Sequence, residues 1–116
     1  MKVAIPVKFD RTDSPISPLF GHAKWFVFWD GKNLTIEKNP FDGGMDVVRW
    51  LLQGGVDSVI TQHIGFKPFL AMREAGVNLY YPGDGRVLVG DAIEALKEGR
   101  LLAIDESNIE NFTRHK

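Results

Sequence analysis

From residue 56 to residue 98 the chain alternates short apolar runs with stretches of helical period, and this most narrows the folds open to it. Residues 56–61 form a β-branched run. Residues 66–75 read as a helix with Pro68 in its first turn and Gly76 beyond its end. Residues 77–81 are a second run. Residues 87–98 are a helix with Val89, Ala92, Ile93 and Leu96 on one face. Connections this short between strands require right-handed crossovers in a parallel sheet with helices packed on it. The chain is therefore α/β.

The N-terminal half adds three strands. Residues 2–7 form a buried run, and residues 25–29 alternate Trp and Phe with Val. Asp30-Gly31 is a hairpin signal leading into residues 34–37. A helix then opens at Gly43-Gly44 and runs to about Gln53, with Met45, Val48, Leu51 and Leu52 as its apolar stripe. The simplest sheet has five strands in the order 3-2-1-4-5. Strand 2 is antiparallel and helices lie on both faces. Residues 1–99 read as a single α/β domain and residues 100–116 as a weakly patterned C-terminal tail.

Composition excludes several classes. There is no cysteine, so disulfides and thiolate metal cages are ruled out, and any metal must use His, carboxylate, backbone or the ligand's own atoms. A formal charge of −1 provides no field for nucleic acid or an anionic membrane. The apolar runs are far shorter than the roughly 20 residues of a membrane span, and the opening lacks a signal-peptide pattern. These features set the expectation of a cytoplasmic protein, monomeric or weakly dimeric.

Residues 8–24 form one long loop with two Ser-Pro pairs. Loops beyond about 12–15 residues are uncommon in small domains and often functional. In the expected sheet this loop shares an edge with the turn after strand 4, Thr61-Gln62-His63-Ile64-Gly65, and with the glycine-rich Pro82-Gly83-Asp84-Gly85. Ligands of open α/β sheets sit at such an edge, at the carboxyl ends of the strands. Two of the three histidines, His22 and His63, fall there, and a neutral imidazole is a metal ligand. Ser14, Ser17, Thr61 and Gln62 add hydrogen-bonding groups, Lys67 adds a cation, and the N-termini of helices 2 and 3 favour an anion. Phe20 is expected to plug the sheet end and Gly21 to take a positive φ. Gly43-Gly44 is expected at the opposite edge. His115 in the tail is expected to be solvated, and Met45 and Met72 to face the core.

The run Val3-Ala4-Ile5-Pro6-Val7, followed by Ser14-Pro15-Ile16-Ser17-Pro18-Leu19-Phe20-Gly21-His22-Ala23, resembles the opening of the dinitrogenase iron-molybdenum cofactor biosynthesis family. These are the NifX-like proteins and the related domain of the cofactor-assembly protein. Asn39-Pro40, Gly43-Gly44, Gly54, Val56-Asp57, Ile64-Gly65 and Glu74-Ala75-Gly76-Val77 continue the likeness over roughly residues 1–99. The resemblance implies a ribonuclease H-like motif, a three-layer α/β/α fold, and a non-catalytic role. Members carry an iron-sulfur or iron-molybdenum-type cluster or its precursor, often through a His or other loop residues, in contact with cofactor-assembly proteins. The binding edge would be residues 14–22 and 61–65, with Ser17, Phe20, Gly21, His22, Gln62, His63, Gly65 and Lys67 against the cluster and His22 and His63 as metal ligands. The sequence departs from the family at Gln62-His63, where two glycines are usual.

Two other readings compete. One is an interaction or structural domain without a small ligand. The other is a metal-dependent enzyme of the ribonuclease H type. That chemistry needs several convergent carboxylates, whereas the first strand has none and Asp10 stands alone.

Overall fold

Proline is out of place in the middle of a sheet because it cannot donate to the ladder, yet Pro6 lies in the central strand. A computed structural model describing residues 1–113 shows how the chain accommodates it. Strand β1 (Val3–Val7) pairs antiparallel with β2 (Trp25–Trp29) along its whole length, but in parallel with β4 (Ser58–Ile60) only at Val3 and Ala4. Beyond that point the long loop folds back into the vacated place. Ser17 N–H donates to the Pro6 carbonyl at 2.8 Å, and Lys8 N–H to that of Pro15 at 3.1 Å. The first and fourth strands thus diverge at Pro6, and the loop fills the opening.

Strand β3 (Leu34–Lys38) follows the hairpin and forms one sheet edge. Helix α1 (Gly44–Gln53) leads to β4, α2 (Phe66–Glu74) to β5 (Asn78–Tyr81), and α3 (Val89–Lys97) to β6 (Leu102–Ile104). The order is β3-β2-β1-β4-β5-β6, so the sheet is mixed, as expected, but has six strands rather than five. The sixth comes from the segment read as a tail and pairs antiparallel with β5. It has only three residues, two of them exposed, and so carries no legible period. A 3-10 turn, η1 (Ile109–Asn111), follows, and Ile109 and Phe112 are buried. His115 lies outside the described residues.

Strand alternation splits the core into two faces. Ala4, Phe26, Phe28, Val59 and Leu79 face α1 and α2, against Val47, Val48, Leu51, Phe69 and Met72. Val3, Ile5, Val7, Val27 and Ile60 face α3, against Val89, Ala92 and Ile93. Helices therefore cover both sides of the sheet. Met45 does not join this core. It is exposed, and Val47 takes the inward place, because the stripe of α1 is set by its contact with the sheet rather than by its first turn. Trp29 is buried and Trp25 half-buried on the α3 face. Among the described residues no helix is long and apolar enough to cross a membrane.

Candidate functional site

The two histidines line one cavity, of about 340 Å³, together with Leu19, Phe20, Gly21, Gly44, Ile64, Gly65 and Pro68. That volume is at the small end of the roughly 300–1,000 Å³ usual for ligand sites. Three elements build it. The long loop supplies residues 19–22, the entry to α1 supplies Gly44, and the turn after β4 supplies residues 63–65.

Backbone pairing holds these elements together. Leu19 bridges His63 in parallel, and Phe20 N–H donates to the His63 carbonyl at 3.3 Å. Behind this wall, Ile64 N–H donates to the Phe112 carbonyl at 3.0 Å. Buried Asn39 ties in the α1 entry. Its amide donates to the Ala23 carbonyl at 2.8 Å, and its Oδ1 accepts from Phe41 N–H at 2.9 Å.

The placement of Gly44 corrects the expectation that Gly43-Gly44 points to the opposite edge. Two antiparallel steps, β1 to β2 and β2 to β3, return β3 to the direction of β1. The end of β3 and the start of α1 therefore reach the same edge as His22. Gly21 is corrected too, since it is not among the positive-φ glycines. Glycine is needed there for close approach. A Cβ at Gly21 would stand 3.0 Å from the Gly44 backbone nitrogen, and one at Gly44 2.5 Å from Pro68 Cγ.

Helices α1 and α2 begin at this cavity with Gly43 and Gly65 as N-caps, and neither has a side-chain cap. The positive ends of two helix dipoles therefore meet at it, which favours an anion, while Asp46 in the first turn of α1 offsets part of that charge and Pro68 in the first turn of α2 has no N–H to offer. The sequence suggested helices 2 and 3 for this role. Instead, α3 starts against the long loop, with Val89 N–H donating to the Ser14 carbonyl.

The imidazoles sit in different settings. His22 is exposed, and its Nδ1 lies 3.1 Å from Asp42 Oδ1. An Nδ1–H donated to Asp42 leaves the lone pair on Nε2, the arrangement of a metal-binding histidine oriented by a carboxylate. His63 is half-buried, and its Nδ1 is buried with no hydrogen-bond partner. An unpaired buried polar atom costs about 1–3 kcal/mol. No group of three or more His, Cys, Asp or Glu among the described residues could hold a metal ion.

The other sequence candidates lie outside the lining of this cavity. Gln62 is buried, and its Nε2 donates to the carbonyls of Gly83 at 2.9 Å and Gly85 at 2.8 Å. It braces the glycine-rich loop and lines a second cavity, of about 280 Å³, between Lys8 and Arg86, with His63 standing between the two. Ser14 is fully buried, accepting from Phe9 N–H and donating to the Pro15 carbonyl. Ser17 lies in the fold-back beside Pro6, and Lys67 is exposed in the first turn of α2. Neither lines the main cavity. Of the lining residues, Leu19 and Ile64 fall within the expected edge stretches without being named as contacts, and Gly44 and Pro68 lie outside them. The parallel run of β1 and β3 that the expected sheet already implies is the signal that places Gly44.

The glycine-rich loop also carries a titration signature. Tyr81 hydrogen-bonds Asp84, and its hydroxyl is pushed up to about 12, first by burial and then by the bond to, and charge of, Asp84. A folded pKa above the unfolded value of about 10 means that this stability is complete below pH 10 and lost as pH rises through 12. Phenolate absorbance should show Tyr81 titrating later than an ordinary tyrosine, and Asp84→Asn should bring it earlier. A Tyr81 that titrates in the ordinary range would contradict this.

The sequence matches the family model described as dinitrogenase iron-molybdenum cofactor over residues 1–99. No curated protein matches it. Among solved structures it is similar to a candidate NifB protein from Thermotoga, at 30% identity and TM-score 0.74, covering 88% of this chain and 91% of that one. Two others share the fold. The apo form of the orange protein from Desulfovibrio gigas is 22% identical at TM-score 0.76, with 89% of this chain and 92% of that one covered. A candidate dinitrogenase from Methanocaldococcus jannaschii is 23% identical at TM-score 0.70, with 90% and 95% covered. With the model spanning residues 1–99, the chain belongs to the dinitrogenase iron-molybdenum cofactor family.

Proposed function

We propose that this protein is a small non-catalytic carrier of an iron-sulfur or iron-molybdenum-type cluster, or a precursor of one, held at the His22–His63 cavity. The observation carrying this reading is that both imidazoles line one cavity into which two uncapped helix N-termini open. An anionic cluster with its own sulfides needs few protein donors, and this cavity offers two imidazoles and a set of backbone N–H groups. Gly21, Gly65 and Phe20 shape the wall, while Ser17 and Gln62 hold it in place. Lys67, in the first turn of α2, adds positive charge at the helix end that opens onto the cavity.

Family membership supports the cargo class, and partners of the cofactor-assembly type in the cytoplasm follow from the same reading. The order of the first five strands, with β2 reversed, suits a ribonuclease H-like motif extended by one strand.

Anaerobic reconstitution with ferrous iron and sulfide, read by visible absorbance and metal per chain, tests the reading. The His22→Ala/His63→Ala protein should bind roughly ten-fold more weakly or worse, equivalent to about 1.4 kcal/mol, with its circular dichroism unchanged. Equal loading of the double variant would remove the cavity from the proposal.

A further inference from the structure

Among the described residues the outer edge of β3 has no strand partner, and its geometry is self-complementary. Backbone bonds fix the phase of the β2–β3 ladder. Asp30 N–H donates to the Asn33 carbonyl at 3.3 Å at one end, and Asn39 N–H to the Lys24 carbonyl at 2.8 Å at the other. Hydrogen-bonded pairs alternate along an antiparallel ladder. With Trp29 opposite Leu34 and Trp25 opposite Lys38, the backbone groups of Thr35 and Glu37 point to β2. Those of Leu34, Ile36 and Lys38 point away from the sheet. Its five residues keep an unbroken register with β2 and include no proline, so neither a bulge nor a missing donor interrupts the edge, and its charges are Glu37 and Lys38.

We infer that this edge pairs with the same edge of a second copy, antiparallel about a two-fold axis at Ile36. The outward groups then fall in phase. Ile36 faces its own copy, and Leu34 faces Lys38 of the other chain. All three residues of each strand donate and accept, closing six backbone hydrogen bonds. Moving the axis to Glu37 would leave only four and set two carboxylates opposite each other. On the α3 face, Leu34 (38% exposed) and half-buried Ile36 continue the apolar strip begun by Trp25 and Trp29. The two copies would extend that strip across the axis. This inference is independent of the cavity and its cargo. An edge-to-edge contact of this size gives a reversible, concentration-dependent dimer.

The absence of native cysteine makes the register directly testable. In the proposed dimer Thr35 faces Glu37 of the second copy in a non-hydrogen-bonded pair, where Cα atoms are about 4.5 Å apart, within disulfide reach. A mixture of Thr35→Cys and Glu37→Cys proteins under mild oxidation should form disulfide-linked dimers at least several-fold faster than either variant alone. Sedimentation of the unmodified chain should show a shift from the 13.0 kDa monomer towards twice that mass as concentration rises into the millimolar range. Lys38→Pro removes an outward donor and leaves the β2 ladder intact, so it should keep the circular dichroism spectrum and lose the shift. A monomer at every concentration would overturn the inference, as would equal cross-linking of the mixed and separate variants.

Discussion

Phe26→Ala should lower the stability of this protein by about 3–5 kcal/mol, the range for emptying a large aromatic site in a packed core. Phe26 is fully buried and lies at the centre of an aromatic cluster. Its ring meets Phe20 and Trp50 edge-on, each with centroids 5.7 Å apart, and stacks on Phe28 at 6.5 Å. Phe28 also meets Trp50 edge-on, so the remaining rings are held from two sides and cannot easily collapse into the space. A domain of this kind has roughly 5–15 kcal/mol in total. The loss is thus a large share of it, and the melting temperature should fall by roughly 10–20 °C. Phe66→Ala is the natural comparison, because Phe66 is 53% exposed and its removal should cost well under half as much. Calorimetry of the two variants decides the matter, and similar melting temperatures would refute the assignment of Phe26 as the keystone. The effect should reach the cavity as well, since Phe20 forms part of its wall and leans on Phe26.

Gly44→Ala should also destabilise the protein, although alanine is ordinarily the better helix residue by up to about 1 kcal/mol. The new Cβ would lie 2.5 Å from Pro68 Cγ. A ring carbon fixed to the first turn of α2 cannot rotate away, so α1 and α2 must part at the point where both open onto the cavity. Overpacking of this kind costs about 1–3 kcal/mol. Gly90→Ala provides the contrast. Gly90 lies in α3, and a Cβ there meets nothing within 4 Å. That substitution should stabilise by about 0.5–1 kcal/mol through backbone entropy alone. Opposite signs in chemical denaturation are expected, with Pro68→Ala restoring part of the Gly44→Ala loss. Shifts of the same sign would show that the α1–α2 approach is looser than the geometry indicates. Cluster reconstitution on Gly44→Ala should fall in parallel, because the methyl group intrudes on the cavity.

Much of the architecture was legible because local and global signals agree. The runs at 56–61 and 77–81 and the helix signals between them leave one handedness of crossover, and the sheet forms as those signals imply. What escaped the sequence depended on geometry that no local pattern encodes. The parallel alignment of β1 and β3 already follows from an antiparallel β2 between them, and it puts the end of β3 at the His22 edge, so the expected place of Gly43-Gly44 conflicts with the expected sheet itself. Gly21 was assigned a left-handed backbone, whereas its small size answers to the backbone of a residue 23 positions away. Sequence spacing cannot report that proximity. The sixth strand was invisible because three residues contain no period and its stability comes from Ile104, Ile109 and Phe112 packing against a core formed elsewhere.

The site was half legible. The topology brought the two histidine loops to one edge, and both imidazoles do line the same cavity. Their individual roles depended on neighbours that sequence does not supply. Asp42, on the loop after β3, orients His22, and nothing partners Nδ1 of His63. Gln62 and Ser14 looked like free polar groups, but their hydrogen bonds go to the chain's own carbonyls.

The bond from Ile64 N–H to the Phe112 carbonyl has a further consequence for length. The family signature ends at residue 99, before β6, the 3-10 turn and Phe112. A gene shortened to that signature would encode a chain with β5 bare along one side, Leu79 and Tyr81 stripped of apolar cover, and the wall behind His63 missing its fastening. The stretch by which relatives are recognised and the stretch that keeps the cavity in shape are therefore of different lengths, and an expression vector cut to the former would sacrifice the latter.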